Sequence, residues 1–321
     1  METAVLAATL LWSFKAGAPA DAAPTVAAER VYFAASDRSL YVLDAGTGKK
    51  TASRSFKAPL PTSPLVAGDF VFLYVPFPDG SIYALKAADL KKVWRAKAGP
   101  GLTRPAVANG VVAVGCGRDL VFYRGEDGRE LSRVGFHAAV VGVAFTGPGA
   151  AVVYTSTGEL ALCTVGVSAP AWRVNLGPGP LYVAGGEGNV YVASGEGGVA
   201  CYDGAAGTEL WRVDGPAAPI APPVLWDKYL GVIGVRGLRA YDRATGELRW
   251  EYAAPANVVG GTPNGDGLVV AMDTGEVLFV RDGRSQELTR VEKYAACPPT
   301  VEAGRLYIAD GGKRLKCYEL R

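Results

Sequence analysis

The residues of this chain that could carry out chemistry are few and widely spaced. Its 321 residues include a single histidine, His137, and five cysteines that form no CxxC motif and no adjacent pair. Zinc ribbons and thioredoxin-type redox sites need such cysteine spacing, and no Gly-x-Ser-x-Gly nucleophile motif is present. We therefore predict no catalytic residue and no metal ligand, and we interpret the cysteines as buried thiols that pack like small apolar side chains.

Charge and hydropathy argue against two classes of partner. Lys and Arg number 33 and Asp and Glu number 31, so the net charge is +2, which provides no strong field for nucleic acid. The small basic groups at residues 91–97 and 313–316 are expected to face water from alternating strands. No apolar run reaches the roughly 18 residues of a membrane helix. We expect neither a nucleic-acid partner nor a membrane span.

A repeat of about 39 residues organises the chain. The stretches Cys201–Arg212 and Ala240–Glu251 both place a tryptophan eight residues after an aspartate. The same frame puts the aspartate slot at Asp44, Lys86, Arg124, Thr164, Asp203, Asp242, Arg281 and Glu319, at intervals of 38 to 42 residues. Eight residues later, the Trp slot holds Ala52, Trp94, Ser132, Trp172, Trp211, Trp250 and Thr289 in the first seven units. Repeats of this length are typical of propellers and solenoids.

Each unit alternates short apolar runs with tight polar turns. Leu40–Leu43, for example, is followed by a turn at Thr47–Gly48, where glycine supplies the positive φ that tight turns need. Four short strands per unit, eight units and no helical periodicity predict an all-β, eight-bladed β-propeller of four-stranded antiparallel blades. Leu11–Phe14 resembles a fourth strand, so we expect the last blade to combine residues of about 300–321 with about 4–16 and to close the ring. Residues 1–321 would then form one domain.

The pattern Tyr-x-Leu-Asp-x-x-Thr-Gly-x-x-x-Trp resembles the pyrroloquinoline-quinone-like (PQQ-like) repeat. The stretches that carry it best are Tyr41–Asp44 with Thr47–Gly48, Tyr202–Asp203 with Gly207 and Trp211, and Tyr241–Asp242 with Thr245–Gly246 and Trp250. The family includes quinoprotein dehydrogenases, the assembly factor BamB, and sensor or scaffold propellers. The resemblance implies that a tryptophan of one blade docks on the turn of the next, with the docking residues Trp12, Trp94, Trp172, Trp211 and Trp250.

The resemblance also implies an alternative function, that of a small quinoprotein-type oxidoreductase binding PQQ with calcium. In such enzymes Glu, Asn and Asp hold the metal ion, often beside an adjacent cysteine pair. Here the loops are short, and Asn257 and Asp266 are the residues that come nearest to such a set. We favour a hydrated loop at that place, and with it a non-enzymatic protein that needs no cofactor.

A protein-interaction or ligand-binding scaffold is therefore our first hypothesis for function. Loops on a rigid frame are the usual carriers of binding. The residues near the first strands of the blades, expected to line the axis, are the candidates for ligand or partner contact: Arg104, His137, Tyr182, Asn257 and Tyr294. We expect a protein partner and a monomeric ring.

Other repeated or glycine-rich features are interpreted as structural. An arginine follows the Trp slot in five units, at Arg95, Arg133, Arg173, Arg212 and Arg290. We expect these side chains to make hydrogen bonds between blades or to be solvated at the blade edge. The glycine-rich run 195–198 precedes a strand and not a helix, so we interpret it as a turn and not as a phosphate-binding loop.

The amino terminus and the rare residues bear on location and source. The apolar stretch Ala4–Leu11 follows Glu2 and no Lys or Arg, whereas a secretory signal starts with basic residues. We expect a cytoplasmic protein, the alternative being an exported protein whose signal peptide is not part of this sequence. One His and two Met fit either a thermophilic source or GC-rich codon usage.

Overall fold

The structure is a computed structural model that describes residues 7–20, 22–75, 79–97, 103–177, 179, 181–195, 198–214 and 219–321. This part of the chain contains 32 β-strands and no helix. The strands form eight four-stranded antiparallel sheets, numbered 1 to 8 in chain order. The protein is therefore an eight-bladed β-propeller, as the repeat predicts.

The chain divides into two compact units. One comprises Met1–Pro64, Ile233–Ala240 and Leu248–Arg321, and the other comprises Leu65–Val232 and Tyr241–Glu247. We call them unit 1 and unit 2. The expectation of one domain over residues 1–321 stays a prediction.

Unit 1 contains sheets 1, 7 and 8. Sheet 1 is β2 (Thr25–Ala27), β3 (Arg30–Ala35), β4 (Ser39–Asp44) and β5 (Lys50–Ser55), and sheet 7 is β26 (Val258–Asn264), β27 (Gly267–Met272), β28 (Glu276–Arg281) and β29 (Arg284–Arg290). Sheet 8 is β30 (Thr300–Glu302), β31 (Arg305–Ala309), β32 (Arg314–Leu320) and the amino-terminal β1 (Ala8–Lys15). Trp12 of β1 lies opposite Cys317 of β32. The predicted completion of the last blade by the amino-terminal strand is confirmed; residues 4–6 of the predicted range lie outside the described residues.

Unit 2 contains sheets 2 to 5. Sheet 2 is β6 (Leu65–Ala67), β7 (Phe70–Val75), β8 (Ser81–Lys86) and β9 (Lys92–Lys97), and sheet 3 is β10 (Ala106–Ala108), β11 (Val111–Cys116), β12 (Asp119–Arg124) and β13 (Glu130–Gly135). Sheet 4 is β14 (Val140–Gly147), β15 (Ala150–Thr155), β16 (Glu159–Thr164) and β17 (Trp172–Asn175), and sheet 5 is β18 (Leu181–Gly186), β19 (Asn189–Ser194), β20 (Val199–Asp203) and β21 (Glu209–Val213). The remaining sheet 6 is β22 (Val224–Trp226), β23 (Tyr229–Gly234), β24 (Gly237–Asp242) and β25 (Leu248–Ala253).

The core lies between the second and third strands of neighbouring sheets. In unit 1, Phe33 of sheet 1 and Tyr307 of sheet 8 belong to one buried cluster. In unit 2, Phe72 of sheet 2 packs in one cluster with Val112 and Tyr123 of sheet 3. Both faces of the second and third strands are buried, and their sequences are therefore continuous apolar runs. The fourth strands alternate exposed and buried positions.

A β-bulge lies just before the Trp slot in several fourth strands. In sheet 5, Trp211 lies opposite Cys201 and Glu209 lies opposite Tyr202, so Leu210 is the extra residue. Val93 takes the same place in sheet 2, and the register also shifts just before Trp12 in sheet 8. A bulge bends the strand and re-aims the side chains beside it, which turns the indole toward the neighbouring sheet.

Candidate functional site

Four tryptophans each dock on the turn of the following sheet. In every case the indole Nε1 donates a hydrogen bond to a backbone carbonyl of the turn that joins the third and fourth strands. The pairs are Trp12 with Ala45 at 2.9 Å, Trp94 with Gly125 at 2.6 Å, Trp172 with Gly204 at 3.0 Å and Trp211 with Arg243 at 3.0 Å. Trp250 of sheet 6 is also buried. The Trp12 contact joins neighbouring sheets within unit 1, and the other three contacts join neighbouring sheets within unit 2.

The receiving turns need glycine for two reasons. Gly48, Gly128, Gly207 and Gly246 have φ between +70° and +74°, and a Cβ on any of them would come within 2.5 to 2.6 Å of the docked indole ring. In the turn of sheet 5, the Asp203 carboxylate accepts hydrogen bonds from the backbone N–H groups of Ala205 and Ala206. The aspartate slot therefore shapes the turn, and the glycine leaves room for the ring.

Arg104 and His137 lie in the loops that lead into sheets 3 and 4, which we call inter-sheet loops. Both loops are held by the same end of β11: the Gly115 N–H donates to Thr103 Oγ1 at 2.9 Å, and the Val140 N–H donates to the Gly117 carbonyl at 2.8 Å. A Cβ on Gly115 would come within 2.5 Å of Val140. The two loops are thus packed closely together.

The side chains of Arg104 and His137 both reach solvent. Neither makes a hydrogen bond or an ion pair with any residue that the structure describes. The surrounding protein still desolvates the Arg104 guanidinium and lowers its pKa, although arginine keeps its charge.

Tyr182, the second residue of β18, is half-buried beside Tyr154 of sheet 4. Desolvation raises the pKa of Tyr154 to about 12, and the nearby Tyr182 phenol adds to that rise. A Cβ on Gly142 would come within 1.9 Å of the Tyr154 ring. Tyr182 therefore lies next to a tightly packed aromatic side chain, and no bond links it directly to Arg104 or His137 within the described residues.

Asn257 and Tyr294, in unit 1, are both exposed and both have intramolecular contacts. The Asn257 side-chain amide donates to Asp273 Oδ2 at 2.7 Å. The ring of Tyr294 lies over Gly311, where a Cβ would come within 2.1 Å of it. Both residues are positioned by the loop that they contact.

The residues nearest to a calcium site do not fit PQQ and its metal ion. Asp266 accepts a hydrogen bond from Arg281 Nη1 at 2.7 Å, and the Asn257 amide is held by Asp273. Calcium needs six to eight oxygen ligands that converge on one point. Across the described ranges, no group of three or more His, Cys, Asp or Glu side chains could hold a metal ion. The same ranges contain no helix that could span a membrane.

The arginines after the Trp slot make their hydrogen bonds within their own sheet and not between blades, while their side chains are 41–53% exposed, in agreement with the second alternative of solvation at the blade edge. Four of the five reach an acidic residue on or just before the neighbouring third strand. The pairs are Arg95 with Asp79 at 2.7 Å, Arg133 with Asp119 at 2.7 Å, Arg173 with Glu159 at 2.6 Å and Arg290 with Glu276 at 2.8 Å. Sheet 6 reverses the charges, since Glu251 follows Trp250 and pairs with Arg239 at 2.8 Å. Arg212 of sheet 5 is the exception and pairs with Glu209 of its own strand at 2.6 Å.

A cavity of about 340 Å³ opens in sheet 5 beside Arg212. Its wall is rich in glycine and also includes Ser194 and Asp214: the glycines are Gly177, Gly179, Gly195 and Gly198. Sequence analysis interpreted the run 195–198 as a turn and Arg212 as structural and predicted no cavity here; Glu196 and Gly197 of that run lie outside the described residues.

Comparison with known proteins agrees with this architecture. The family model described as "Outer membrane protein assembly factor BamB" matches residues 4–139, 78–165 and 168–291. None of the curated proteins matches the chain.

Three solved structures illustrate the shared fold. The computationally designed Ika8 protein is 14% identical with a TM-score of 0.85, and the alignment covers 97% of this chain and 99% of that one. Sqt1 from Saccharomyces cerevisiae is 13% identical with a TM-score of 0.81, covering 98% and 100%. BamB from Moraxella catarrhalis is 14% identical with a TM-score of 0.58, covering 97% and 99%.

The Trp–turn contacts, the eight four-stranded sheets and a family match over most of the chain agree with one another. The chain belongs to the family of PQQ-like repeat β-propellers that the BamB model describes.

Proposed function

We propose that this protein is a non-enzymatic scaffold that binds a protein partner through its inter-sheet loops. The observation that carries the proposal is the pair Arg104 and His137. Two polar side chains on adjacent, well-anchored loops reach solvent and have no intramolecular partner among the described residues. Their hydrogen-bonding capacity is available to another molecule, and a rigid frame limits the entropy lost on binding.

The family supports this role in general terms. The matching model is named for an assembly factor, and from it we carry over only the general role of an interaction scaffold. The Trp–turn contacts support it as well, because they fix the sheets from which the loops project. We do not expect PQQ and calcium to bind at Asp266 and Asn257, because both side chains already have partners. Asp266 accepts a hydrogen bond from Arg281, and the Asn257 amide donates one to Asp273.

The test is capture of a partner from an extract of the source organism by the immobilised full chain. We expect one protein to be retained in a stoichiometric amount. A variant with Arg104→Glu and His137→Ala should retain at least about tenfold less, because charge-assisted hydrogen bonds contribute about 1.5–3 kcal/mol. Lys92→Glu is the matched control, since Lys92 is an exposed cation at the far end of β9, and it should retain as much as the parent.

Two results would contradict the proposal. One is equal retention by the parent and the double variant, which would place any binding surface elsewhere. The other is reduction of an electron-accepting dye by alcohols or sugars after addition of PQQ and calcium, which would establish the alternative oxidoreductase function.

A further inference from the structure

The basic group at residues 313–316 contains one buried cation, which corrects the expectation that the whole group faces water. The side chain of Lys316 is only 7% exposed. Its Nζ lies 3.0 Å from Glu292 Oε1 and 3.7 Å from Oδ2 of the buried Asp310. Lys293 adds a positive charge beside Glu292. The two lysines and the two carboxylates therefore balance one another.

The other two cations of this group, Lys313 and Arg314, are held by neutral oxygen atoms. Lys313 Nζ donates to the Gly17 carbonyl at 3.1 Å, and Arg314 Nη1 donates to Ser13 Oγ at 3.2 Å. Neither side chain forms an ion pair with a carboxylate among the described residues. These hydrogen bonds fix both side chains against the end of β1 and leave their charges uncompensated.

Three further cations are exposed at the same end of sheets 8 and 1: Lys15, Arg38 and Lys57. Lys15 lies opposite Arg314 in the β1–β32 pair. The loop after β1 is joined to the turn before β4, because the Gly17 N–H donates to Asp37 Oδ2 at 3.1 Å. That turn is joined to the end of sheet 1, because the Phe56 N–H donates to the Arg38 carbonyl at 2.8 Å. We call these three cations, with Lys313 and Arg314, the unit 1 basic surface.

The carboxylates of these loops do not balance the five cations. Asp37 accepts hydrogen bonds from the Gly17 N–H and the Tyr41 hydroxyl. Asp21, in the loop after β1, lies outside the described residues. Even with Asp21 counted as a second carboxylate, cations outnumber carboxylates here by five to two. The arginines after the Trp slot differ, because each of them is paired with an acid.

The surroundings of this surface favour an acidic protein segment over a nucleic acid. Proteins that bind single strands provide aromatic side chains on which the bases stack. Next to Lys15, the Phe14 ring already packs against Phe33 and Tyr41, at centroid distances of 5.8 and 5.6 Å. The net charge of +2 also provides little long-range attraction for a polyanion.

We propose that the unit 1 basic surface binds an acidic segment of the protein partner, whose carboxylates accept hydrogen bonds from the exposed lysines and arginines. A lysine has three N–H donors, so Lys313 keeps its bond to Gly17 while it binds a carboxylate. The inference rests on the proposed scaffold function and names the chemistry of one part of the partner. It places this contact in unit 1, whereas Arg104 and His137 belong to unit 2.

The experiment titrates the isotope-labelled full chain with the peptide acetyl-Glu-Gly-Glu-Gly-Glu-amide and follows the backbone amide signals of Lys15, Gly17 and Lys57. We expect a saturable shift of these signals and weaker binding as sodium chloride is added, because salt screens exposed charges. The same peptide with Gln in place of each Glu should bind at least about threefold more weakly, because several exposed ion pairs are lost together.

A double variant makes the test specific to this surface. Lys15 and Lys57 are exposed and form no hydrogen bond or ion pair among the described residues, so Lys15→Glu with Lys57→Glu should fold. We expect it to bind the Glu peptide at least about threefold more weakly than the parent.

The matched control makes the same change of net charge at the other end of sheet 1. Lys49→Glu with Lys50→Glu alters two exposed lysines at the start of β5. The length of β5 separates them from the basic surface by roughly 16 Å, beyond the screening length of about 8 Å at physiological salt. This variant should bind the Glu peptide as the parent does.

Equal binding of the Glu and Gln peptides would overturn the inference, as would undiminished binding by the Lys15 and Lys57 variant. Binding of an oligothymidylate of equal charge as tight as that of the peptide would also overturn it and indicate a nucleic-acid surface. Since partner capture is tested with Arg104 and His137 and this surface with Lys15 and Lys57, either proposal can fail while the other stands.

Discussion

The indole Nε1 of Trp12 donates a 2.9 Å hydrogen bond to the carbonyl of Ala45, so that the amino-terminal strand in sheet 8 is joined to the turn of sheet 1. The two residues are 33 positions apart in sequence. In the same contact the indole ring occupies the space that a Cβ on Gly48 would take. Sheets 8 and 1 are thereby held together through a contact that Trp94, Trp172 and Trp211 repeat elsewhere.

Removal of the Trp12 side chain should destabilise the protein strongly. Trp12→Ala deletes a buried ring and its hydrogen bond, and we expect a loss of about 3–5 kcal/mol in the free energy of unfolding. Urea unfolding measures this loss. Leu10→Ala, in the same strand but with a half-exposed side chain, is the control and should change stability by no more than about 0.5 kcal/mol. Similar stabilities for the two variants would contradict the role given to Trp12.

The glycine of the receiving turn can be tested against a glycine of the same backbone conformation. Gly48 and Gly304 have φ of +70° and +71°, but only at Gly48 would a Cβ meet the indole ring, at 2.5 Å. Both Ala variants lose about 1–2 kcal/mol of stability because of the positive φ. Gly48→Ala also crowds the indole ring, and we therefore expect it to be less stable than Gly304→Ala by about 1–3 kcal/mol. In a Trp12→Ala background this excess should disappear. An excess that persists there would show that the ring is not its cause.

Leu90 replaces the glycine in the turn of sheet 2. Its φ is +59°, its N–H donates to the Lys86 carbonyl as that of Gly48 donates to Asp44, and its side chain is 1% exposed. Leu90→Gly would relieve backbone strain of about 1–2 kcal/mol but lose buried apolar contacts of about 2–5 kcal/mol. We expect burial to dominate and the thermal midpoint to fall; Val93→Ala, at an exposed residue nearby, should leave it unchanged. A rise in the midpoint for Leu90→Gly would contradict this balance.

Stability should decline in alkaline solution. The five cysteines are buried and form no disulfide within the described residues. Desolvation raises the pKa of Cys116 and Cys163 to about 12 and of Cys201 and Cys317 to about 11, from a usual value of about 9. Above about pH 9 the unfolded chain loses thiol protons that the folded chain keeps, so the free energy of unfolding falls as pH rises toward 11.

The measurement is the urea midpoint across this pH range. Removing one of the thiols, by Cys163→Ala, should make the decline shallower, because the thiol with the raised pKa is gone. A midpoint that does not change between about pH 9 and about pH 11 would show that the thiols titrate alike in both states.

Much of the fold follows from local sequence. The spacing from Asp203 to Trp211, and its recurrence at Asp242 and Trp250, predicts the repeat, and apolar runs between glycine-containing turns predict the strands. Both signals are local, because strand pairing across a short hairpin and the positive φ of a tight turn depend on adjacent residues. The pairing of β1 with β32 was also predictable, since the last repeat lacks a fourth strand and Leu11–Phe14 supplies one.

The candidate site was predictable in part. The sequence suggested Arg104 and His137 because each precedes the first strand of a blade. It did not predict that both loops are anchored on the end of β11. It also left open whether Asp266 was available as a metal ligand, because its pairing with Arg281 joins the turn between β26 and β27 to β28.

The amino-acid sequence by itself thus determined the repeat, the eight sheets and the tryptophans that join several of them, since each depends on a pattern within one repeat. Only the tertiary structure decided which acid each arginine binds. The choice of Glu130 with Asp119 for Arg133, and of Glu209 with the Tyr202 hydroxyl for Arg212, depends on distances of a few ångströms within the sheet. A sequence pattern lists the charges, whereas the fold alone sets the distances over which they interact.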